Sequence, residues 1–183
     1  MKSFILFIVG LATVIVFFTA CQSNTYSIKG EAKNFANGTL LYLDNDHQHI
    51  DSFIVMDGHF SSNGITDTTN LCKLYVAGTK GPVVYFFVEP GNIHIELSKE
   101  IGCSRVSGTR VNNEWQTLND TVAKYDSQMR SLFDSTNDSI IPKQLFKETC
   151  RIYDILTLRI NEAAIRNRDN ALGRFIASHK NDR

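Results

Sequence analysis

The chain has 183 residues and a mass of 20.6 kDa, with 19 basic side chains against 19 acidic ones. This length fits one domain with a normal core, and an apolar share of 43% with 21% charged residues excludes a wholly disordered chain. Zero net charge removes the electrostatic basis for nucleic-acid binding, and four cysteines without a CxxC pair exclude the strongest zinc and thiol-redox signatures.

The first twenty residues have the layout of a secretory signal. Met1 and Lys2 give a short positive start, and an uncharged apolar run then continues to Phe18. Two small residues precede Cys21, an arrangement that resembles the lipobox of bacterial lipoproteins. The resemblance implies a signal peptide over 1–20 and a lipid on Cys21 as the new N-terminus. The alternative is an uncleaved anchor, but the run is at the short end of the roughly 17–25 residues that a membrane span needs.

A short polar tether over 21–24 is followed by a segment rich in β-strand signals. Alternating or β-branched runs are separated by turn residues up to residue 108. The Asp57-Gly58 pair lies between two such runs and predicts a tight turn, because both residue types tolerate positive φ. Glu89 precedes a Pro-Gly turn and is assigned a structural role there. The spacing predicts an antiparallel β-sandwich of about seven to eight strands over 25–108.

After residue 108 the apolar period changes from two residues to 3.6. The first predicted helix carries seven apolar residues at helical spacing: Val111, Trp115, Leu118, Val122, Tyr125, Met129 and Leu132. A polar break at 137–139 and Pro142 then predict a second helix, and a short third helix follows it. The chain is therefore predicted to be α+β, with a helical segment over 109–183 after the sandwich.

Turn signatures in the first half occur in a recognisable order: Tyr-Ser-Ile-Lys-Gly at 26–30, Asp-Ser at 51–52, Asp-Gly-His-Phe at 57–60, Glu-Pro-Gly at 89–91, and Val-Ser-Gly-Thr at 106–109 followed by Asn112. Together they resemble domain of unknown function 4369, the N-terminal β-sandwich of thioredoxin-like lipoproteins of the Bacteroidota. In that family a helical linker and a thioredoxin-like domain follow the sandwich. The chain reaches Arg183 without a CxxC site, so the resemblance implies the accessory half alone, a non-catalytic binding module.

The same resemblance bears on location, modification and partners. The tether lacks the acidic residues that surface-exported lipoproteins of that phylum carry, which favours the periplasmic face of the outer membrane. The O-glycosylation sequon of that phylum begins Asp-Ser or Asp-Thr, and its most accessible sites are Ser135 and Ser139 in the predicted 134–140 loop. Expected partners are the membrane, through the lipid, and a periplasmic thiol oxidoreductase or another envelope protein. Nucleic acid is not expected as a partner.

Three cysteines remain after lipidation: Cys72, Cys103 and Cys150. A Cys72–Cys103 disulfide is compatible with an oxidising periplasm, but an odd number of thiols favours separate buried cysteines. No catalytic residue and no cofactor is predicted. A thiol-redox component using Cys72 or Cys150, an unrecognised hydrolase and a truncated remnant of a thioredoxin-like lipoprotein are the alternatives to the binding module.

The remaining candidate side chains are assigned structural roles. Three histidines near predicted turns suggest a metal pocket with neighbouring aspartates, but no ligand spacing supports it and solvated hairpin ends are favoured: His47, His49, His59, Asp44, Asp46 and Asp51. Trp115 is predicted to pack its helix on the sandwich. Arginines between 159 and 174 alternate with acidic residues and predict a solvated helix face.

Overall fold

The computed structural model describes residues 24–79, 83–134 and 143–180. The eight strands in these ranges are β1 (Thr25–Glu31), β2 (Leu40–Asp44), β3 (His49–Ile54), β4 (His59–Ile65), β5 (Asn70–Val76), β6 (Val84–Val88), β7 (Gly91–Glu96) and β8 (Arg105–Ser107). The three helices are α1 (Arg110–Asp134), α2 (Lys143–Arg166) and α3 (Ala171–Lys180). The predicted α+β fold, a β-rich first half followed by helices, is confirmed.

The strands form two four-stranded sheets, β4-β1-β7-β8 and β3-β2-β5-β6. Alternate residues of both sheets face inward and form one core, whose least exposed members include Ile28, Leu41, Leu43, Leu74, Phe86, Ile93 and Ile95. The prediction of an antiparallel sandwich holds for every described strand pair except one. Strands β1 and β7 run parallel, with Ile28 opposite Ile93.

The predicted turn at Asp57-Gly58 is confirmed by its backbone. Both residues have positive φ, 50° and 73°, which is the combination that a type I′ turn requires. The Asn37 side chain fixes this turn, because its Oδ1 accepts from the Asp57 amide at 2.7 Å. The flanking strands β3 and β4 belong to different sheets, so the turn carries the chain across the sandwich.

Helix α1 covers the edge strand β6. The side chain of Asn112, which is fully buried, donates to the Phe87 carbonyl and accepts from the Phe87 amide, both at 2.8 Å. Three residues further along α1, the Trp115 indole donates to the Tyr85 carbonyl at 2.8 Å. Both partners are backbone groups on the free side of β6, where an uncovered edge would expose them.

The same helix covers the edge strand of the other sheet, β8. Gln116 Oε1 accepts from the Val106 amide at 2.8 Å. Arg105 forms a two-fold contact with the Asp120 carboxylate, at 3.1 and 2.7 Å. One helix therefore closes one side of the sandwich across both sheets, which fixes the position of the helical segment on the β-domain.

A second apolar cluster holds the three helices together at the base of the segment. Its buried members are Phe87, Val111, Leu118, Ala163, Ala171, Leu172 and Ile176. In the part of the chain that the structure describes, no helix combines the length and the hydropathy that a membrane span needs. Helix α1 and helix α2 continue well beyond this cluster, and their outer halves contribute a single buried side chain, Ile152.

Candidate functional site

Helices α1 and α2 form a long antiparallel hairpin of which α3 covers only a part. With 25 and 24 residues, the two helices are each about 36 Å long at the helical rise of ~1.5 Å per residue. Helix α3 has 10 residues and a length of about 15 Å. Apart from the sandwich, α3 is the described element that packs against this hairpin, so more than half of the hairpin has no other described helix against it.

A groove of about 370 Å³ opens between the three helices. Its apolar surface comes chiefly from Trp115, Leu118, Ile160, Phe175 and Ile176. None of its lining side chains is an aspartate, glutamate, lysine or arginine. A volume in the lower part of the ~300–1,000 Å³ range of ligand sites and a largely apolar, uncharged lining are typical of a pocket that takes an apolar group.

Trp115 connects the groove to the sandwich. Its ring lies edge-on to Phe87 of β6, with centroids 5.8 Å apart, and edge-on to Phe175 of α3 at 5.4 Å. Together with the hydrogen bond to the Tyr85 carbonyl, these contacts hold the indole in one orientation. The prediction that Trp115 packs on the sandwich is confirmed, and the structure adds that the same ring lines the groove.

An exposed apolar stripe continues from the groove along the hairpin. Val122 and Tyr153 line the groove, Phe133 lies eleven residues after Val122, and Phe146 lies seven residues before Tyr153. Steps of seven and eleven residues return to the same face of a helix. These four side chains are 38–64% exposed. We call these four residues, together with the groove, the hairpin seam.

Polar groups with free hydrogen-bonding capacity lie along the hairpin seam. Among the described residues, the side chains of Asn119, Tyr153 and Thr157 form no hydrogen bond, and all three line the groove. His179 also lines it and stacks on Phe175, with ring centroids 4.2 Å apart. An apolar floor with a few neutral polar groups at its margin binds apolar groups and orients them by hydrogen bonds.

The predicted histidines are not brought together around a metal site. His47 lies in the loop between β2 and β3, while His59 begins β4 in the other sheet. Asp51 accepts a hydrogen bond from Ser62 of β4 and so joins the two sheets at the side opposite α1. Within 24–79, 83–134 and 143–180, no group of three or more His, Cys, Asp or Glu residues is placed to hold a metal ion.

His49 instead forms a hydrogen-bonded row with two neighbours on the outer face of the second sheet. Its Nδ1 lies 2.7 Å from Asp44 Oδ1, and its Nε2 lies 2.9 Å from Ser52 Oγ. The Tyr75 hydroxyl donates to the other oxygen of Asp44 at 2.6 Å. This hydrogen bond, and then the one from His49, lower the pKa of Asp44 below its usual range, so the carboxylate is charged at neutral pH.

The three described cysteines are free thiols. Cys72 is buried as expected, and burial raises its pKa to about 12. The expectation of burial is wrong for Cys103 and Cys150, which are exposed. Cys103 lies in the loop before β8 rather than in a strand, and Cys150 lies on an outward face of α2. The structure therefore contains no Cys72–Cys103 disulfide, and Cys72 is held in its protonated, unreactive form.

Glu89 has a role beyond the turn that was predicted for it. Its Oε1 accepts from the Val111 amide at 3.0 Å, in the first turn of α1. A carboxylate there pairs a backbone N–H that has no partner within the helix and interacts favourably with the helix dipole. The lipidation site Cys21 and the glycosylation sites Ser135 and Ser139 lie outside the described residues.

The C-terminal arginines agree with the predicted solvated face. Arg159 pairs with Glu162 at 2.9 Å, and Arg166 with Glu114 at 3.5 Å. Arg168 pairs with its neighbour Asp169 at 3.3 Å. These arginines are more than half exposed and each has an acidic partner, so they form no concentrated basic patch.

The fold and the docked helix define a β-sandwich module that carries a helical hairpin. Residues 26–115 match the family model described as Domain of unknown function (DUF4369). The resemblance of this range to domain of unknown function 4369, drawn from the turn signatures, is thereby confirmed. The matched range ends at Trp115, so nearly all of the hairpin seam lies beyond it. No curated protein sequence matches the chain.

Proposed function

We propose that the protein is a lipid-anchored envelope protein whose hairpin seam acts as a non-catalytic binding module for an amphipathic helix of a partner protein. The observation that carries this proposal is the exposed apolar stripe on α1 and α2, which continues from the groove beyond the end of α3. Exposed apolar side chains grouped around an apolar groove mark an interaction site.

The dimensions of the uncovered hairpin favour a helix as the occupant. Subtracting about 15 Å for α3 from about 36 Å for the hairpin leaves roughly 20 Å, the length of a helix of about 14 residues. Such a helix would add a fourth member to the three-helix arrangement. It would place apolar side chains at steps of three, four and seven residues against Val122, Phe133, Phe146 and Tyr153.

The groove supplies an anchor point for that helix. Its apolar floor accommodates one large side chain of the partner, and the free polar groups of Asn119 and Thr157 can orient it. Since no charged side chain lines the groove, affinity would come from burial of apolar area rather than from ion pairs.

A thiol oxidoreductase is the partner that the family relationship favours. The DUF4369 sandwich is expected to accompany a thioredoxin-like domain, and the chain has no CxxC pair of its own. Burial of Cys72, with its pKa near 12, argues against redox chemistry at that thiol. A lipid on Cys21 would hold the sandwich close to the membrane, because residues 21–24 span at most about 14 Å when extended.

Site-specific photo-cross-linking in native membranes tests the docking site. A photoreactive amino acid is placed at Val122 or Tyr153 in the hairpin seam, and at Ile65 as a control. Ile65 is an apolar residue of β4 that is 76% exposed and lies outside the seam. We expect both seam positions to cross-link one and the same thiol oxidoreductase, through a peptide with helical apolar spacing, and position 65 not to do so. Identical products from all three positions, or no product from the seam, would contradict the proposal.

Cys21→Ser tests the anchor independently of the partner. The native protein is expected to show the mass of residues 21–183 plus the lipid, and to fractionate with membranes. The variant is expected to keep its first twenty residues and to carry no lipid. Equal masses for the mature native protein and the variant would show that Cys21 is not the lipidation site, without affecting the docking proposal.

A further inference from the structure

The outer face of the second sheet carries a serine, a histidine and an aspartate in one hydrogen-bonded row. Ser52 Oγ lies 2.9 Å from His49 Nε2, and His49 Nδ1 lies 2.7 Å from Asp44 Oδ1. This order of atoms and these distances are those of the nucleophile, base and orienting acid of serine hydrolases, which are recognised by geometry rather than by sequence order. The row lies on β2 and β3 and shares no residue with the hairpin seam.

A strand irregularity brings the serine and the histidine to the same face. Residues 49 and 52 are three apart, so an ideal strand would place their side chains on opposite faces. The register between β2 and β3 shifts at Leu43/Asp44, where Asp44 pairs with His49 although Leu43 pairs with Asp51. The extra residue, Ile50, restores the side-chain direction, so that both His49 and Ser52 project outward.

The partners of the histidine determine where its proton lies. A carboxylate can only accept hydrogen bonds, so His49 Nδ1 must carry the hydrogen that points at Asp44. In the neutral ring Nε2 then has a lone pair and accepts from the Ser52 hydroxyl. The Tyr75 hydroxyl donates to the second oxygen of Asp44 and holds that carboxylate in place. The row is thus oriented to remove a proton from Ser52.

We infer that Ser52 is a nucleophile activated by His49, and that it reacts with activated esters and fluorophosphonates. In the acylation step the Ser52 oxygen forms a bond to the ester carbonyl carbon, and the hydroxyl proton moves to His49 Nε2. The bond between the carbonyl carbon and the leaving oxygen breaks, and that oxygen takes the proton from His49. Water, deprotonated by the same nitrogen, then releases the acid and restores the serine.

The backbone around Ser52 limits which substrates can react. The Ser52 amide already donates to Asp51 Oδ1 at 2.7 Å, so this amide does not stabilise the oxyanion of a bound ester. Loss of one such donor costs hydrolases about 100- to 1,000-fold in rate. The reactive class is therefore esters with good leaving groups, such as aryl esters, and not amides.

Labelling of the full chain with a fluorophosphonate probe tests the inference. We expect one probe per chain, located at Ser52 by peptide mass mapping and absent from Ser52→Ala. Ser61→Ala is the matched control, since Ser61 is exposed on β4 of the other sheet, and it should be labelled like the native chain. A folded native chain that takes no label, or a label that persists in Ser52→Ala, would overturn the inference.

Two further variants separate activation from mere exposure of the serine. His49→Ala should slow labelling by about 100-fold or more, and added imidazole should restore part of the rate because it supplies the missing base. Asp44→Asn should lower the maximal labelling rate and leave the half-saturating probe concentration unchanged, since Asp44 positions His49 and does not touch the probe. Labelling of His49→Ala at the native rate would show that Ser52 is not activated and would refute the inference.

Discussion

Asn112 pairs with the backbone of Phe87 as a neighbouring strand would, accepting from its amide and donating to its carbonyl, both at 2.8 Å. The Asn112 amide also donates to the Thr109 hydroxyl at 2.8 Å, so the side chain ties the first turn of α1 to the edge of the sheet. This geometry gives a structural role to the asparagine that follows the Val-Ser-Gly-Thr turn at 106–109. It satisfies two buried backbone groups that the helix would otherwise desolvate without replacement.

Asn112→Ala is expected to lower the free energy of unfolding by about 2–4 kcal/mol. The truncation leaves the Phe87 amide and carbonyl without partners, and each buried unsatisfied group costs about 1–3 kcal/mol. Urea unfolding measures the change. Asn63→Ala, at an exposed position of β4, is the matched control and should shift stability by less than about 0.5 kcal/mol. A change in Asn112→Ala as small as in this control would contradict the described docking of α1.

Thiol labelling should separate Cys72 from the other described cysteines. Iodoacetamide at pH 8 is expected to modify exposed Cys103 and Cys150 in the folded chain and to reach Cys72 only after denaturation. Intact mass before and after adding urea reads out the two classes. Rapid modification of Cys72 in the folded chain would contradict its burial and its raised pKa.

The raised pKa of Cys72 also predicts a stability change at alkaline pH. The thiol ionises near its ordinary value of 9.0 in the unfolded chain but only near 12 in the folded one, so the folded state keeps its proton over that interval. Its contribution is complete below pH 9 and is lost as the pH rises towards 12, by up to about 1.4 kcal/mol per pH unit. Cys72→Ala should unfold with a weaker pH dependence over this interval. Parallel pH profiles for the two chains would refute the assignment.

The ion pair between Arg105 and Asp120 should contribute a small, acid-sensitive stabilisation. Hydrogen bonding from Arg105 is the main cause that lowers the pKa of Asp120, so the contribution is present above the carboxyl's ordinary pKa of 3.8 and is lost as the pH falls through the lower folded value. Both side chains are about half exposed, so a double-mutant cycle with alanine should give about 0.5–1 kcal/mol at neutral pH. A coupling energy indistinguishable from zero would show that the pair does not join β8 to α1 energetically.

The exposed outer part of the hairpin seam should tolerate truncation that the buried base of the helices does not. Phe146→Ala removes a ring that is 64% exposed, and we expect a change in unfolding free energy below about 1 kcal/mol. Leu118→Ala removes a side chain that is 8% exposed at the base of the helices, and a loss of about 2–4 kcal/mol is expected. Chemical denaturation compares the two. Equal losses would mean that the outer hairpin is part of the folding core rather than a binding surface.

Local sequence patterns predicted the strands and turns better than they predicted which strands pair with each other. The Asp57-Gly58 turn follows from residue types that accept positive φ, and two-residue alternation identified the strands. The parallel pairing of β1 with β7 could not be predicted, because alternation reports which face is buried and not which strand lies alongside.

Neither the hairpin seam nor the row of Asp44, His49 and Ser52 could be predicted from the sequence, and the reasons are physical. Helical spacing placed Val122 on the same stripe as Leu118, but a period cannot tell how far along a stripe the next helix extends. His49 and Ser52 are three residues apart, so a regular strand would place their side chains on opposite faces of the sheet. Their contact depends on a β-bulge opposite Asp44, and no single residue type in the sequence predicts that bulge.

The central claim is that a partner helix docks on the hairpin seam. Its most direct test is the cross-link from a photoreactive amino acid at position 153 in a chain that also carries Val122→Asp. A carboxylate at position 122 would have to be buried without a partner beneath a docked helix, which costs several kcal/mol. We predict that the cross-link to the thiol oxidoreductase disappears while the free energy of unfolding changes by less than about 1 kcal/mol. An undiminished cross-link from position 153 in this stable variant would contradict docking at the hairpin seam.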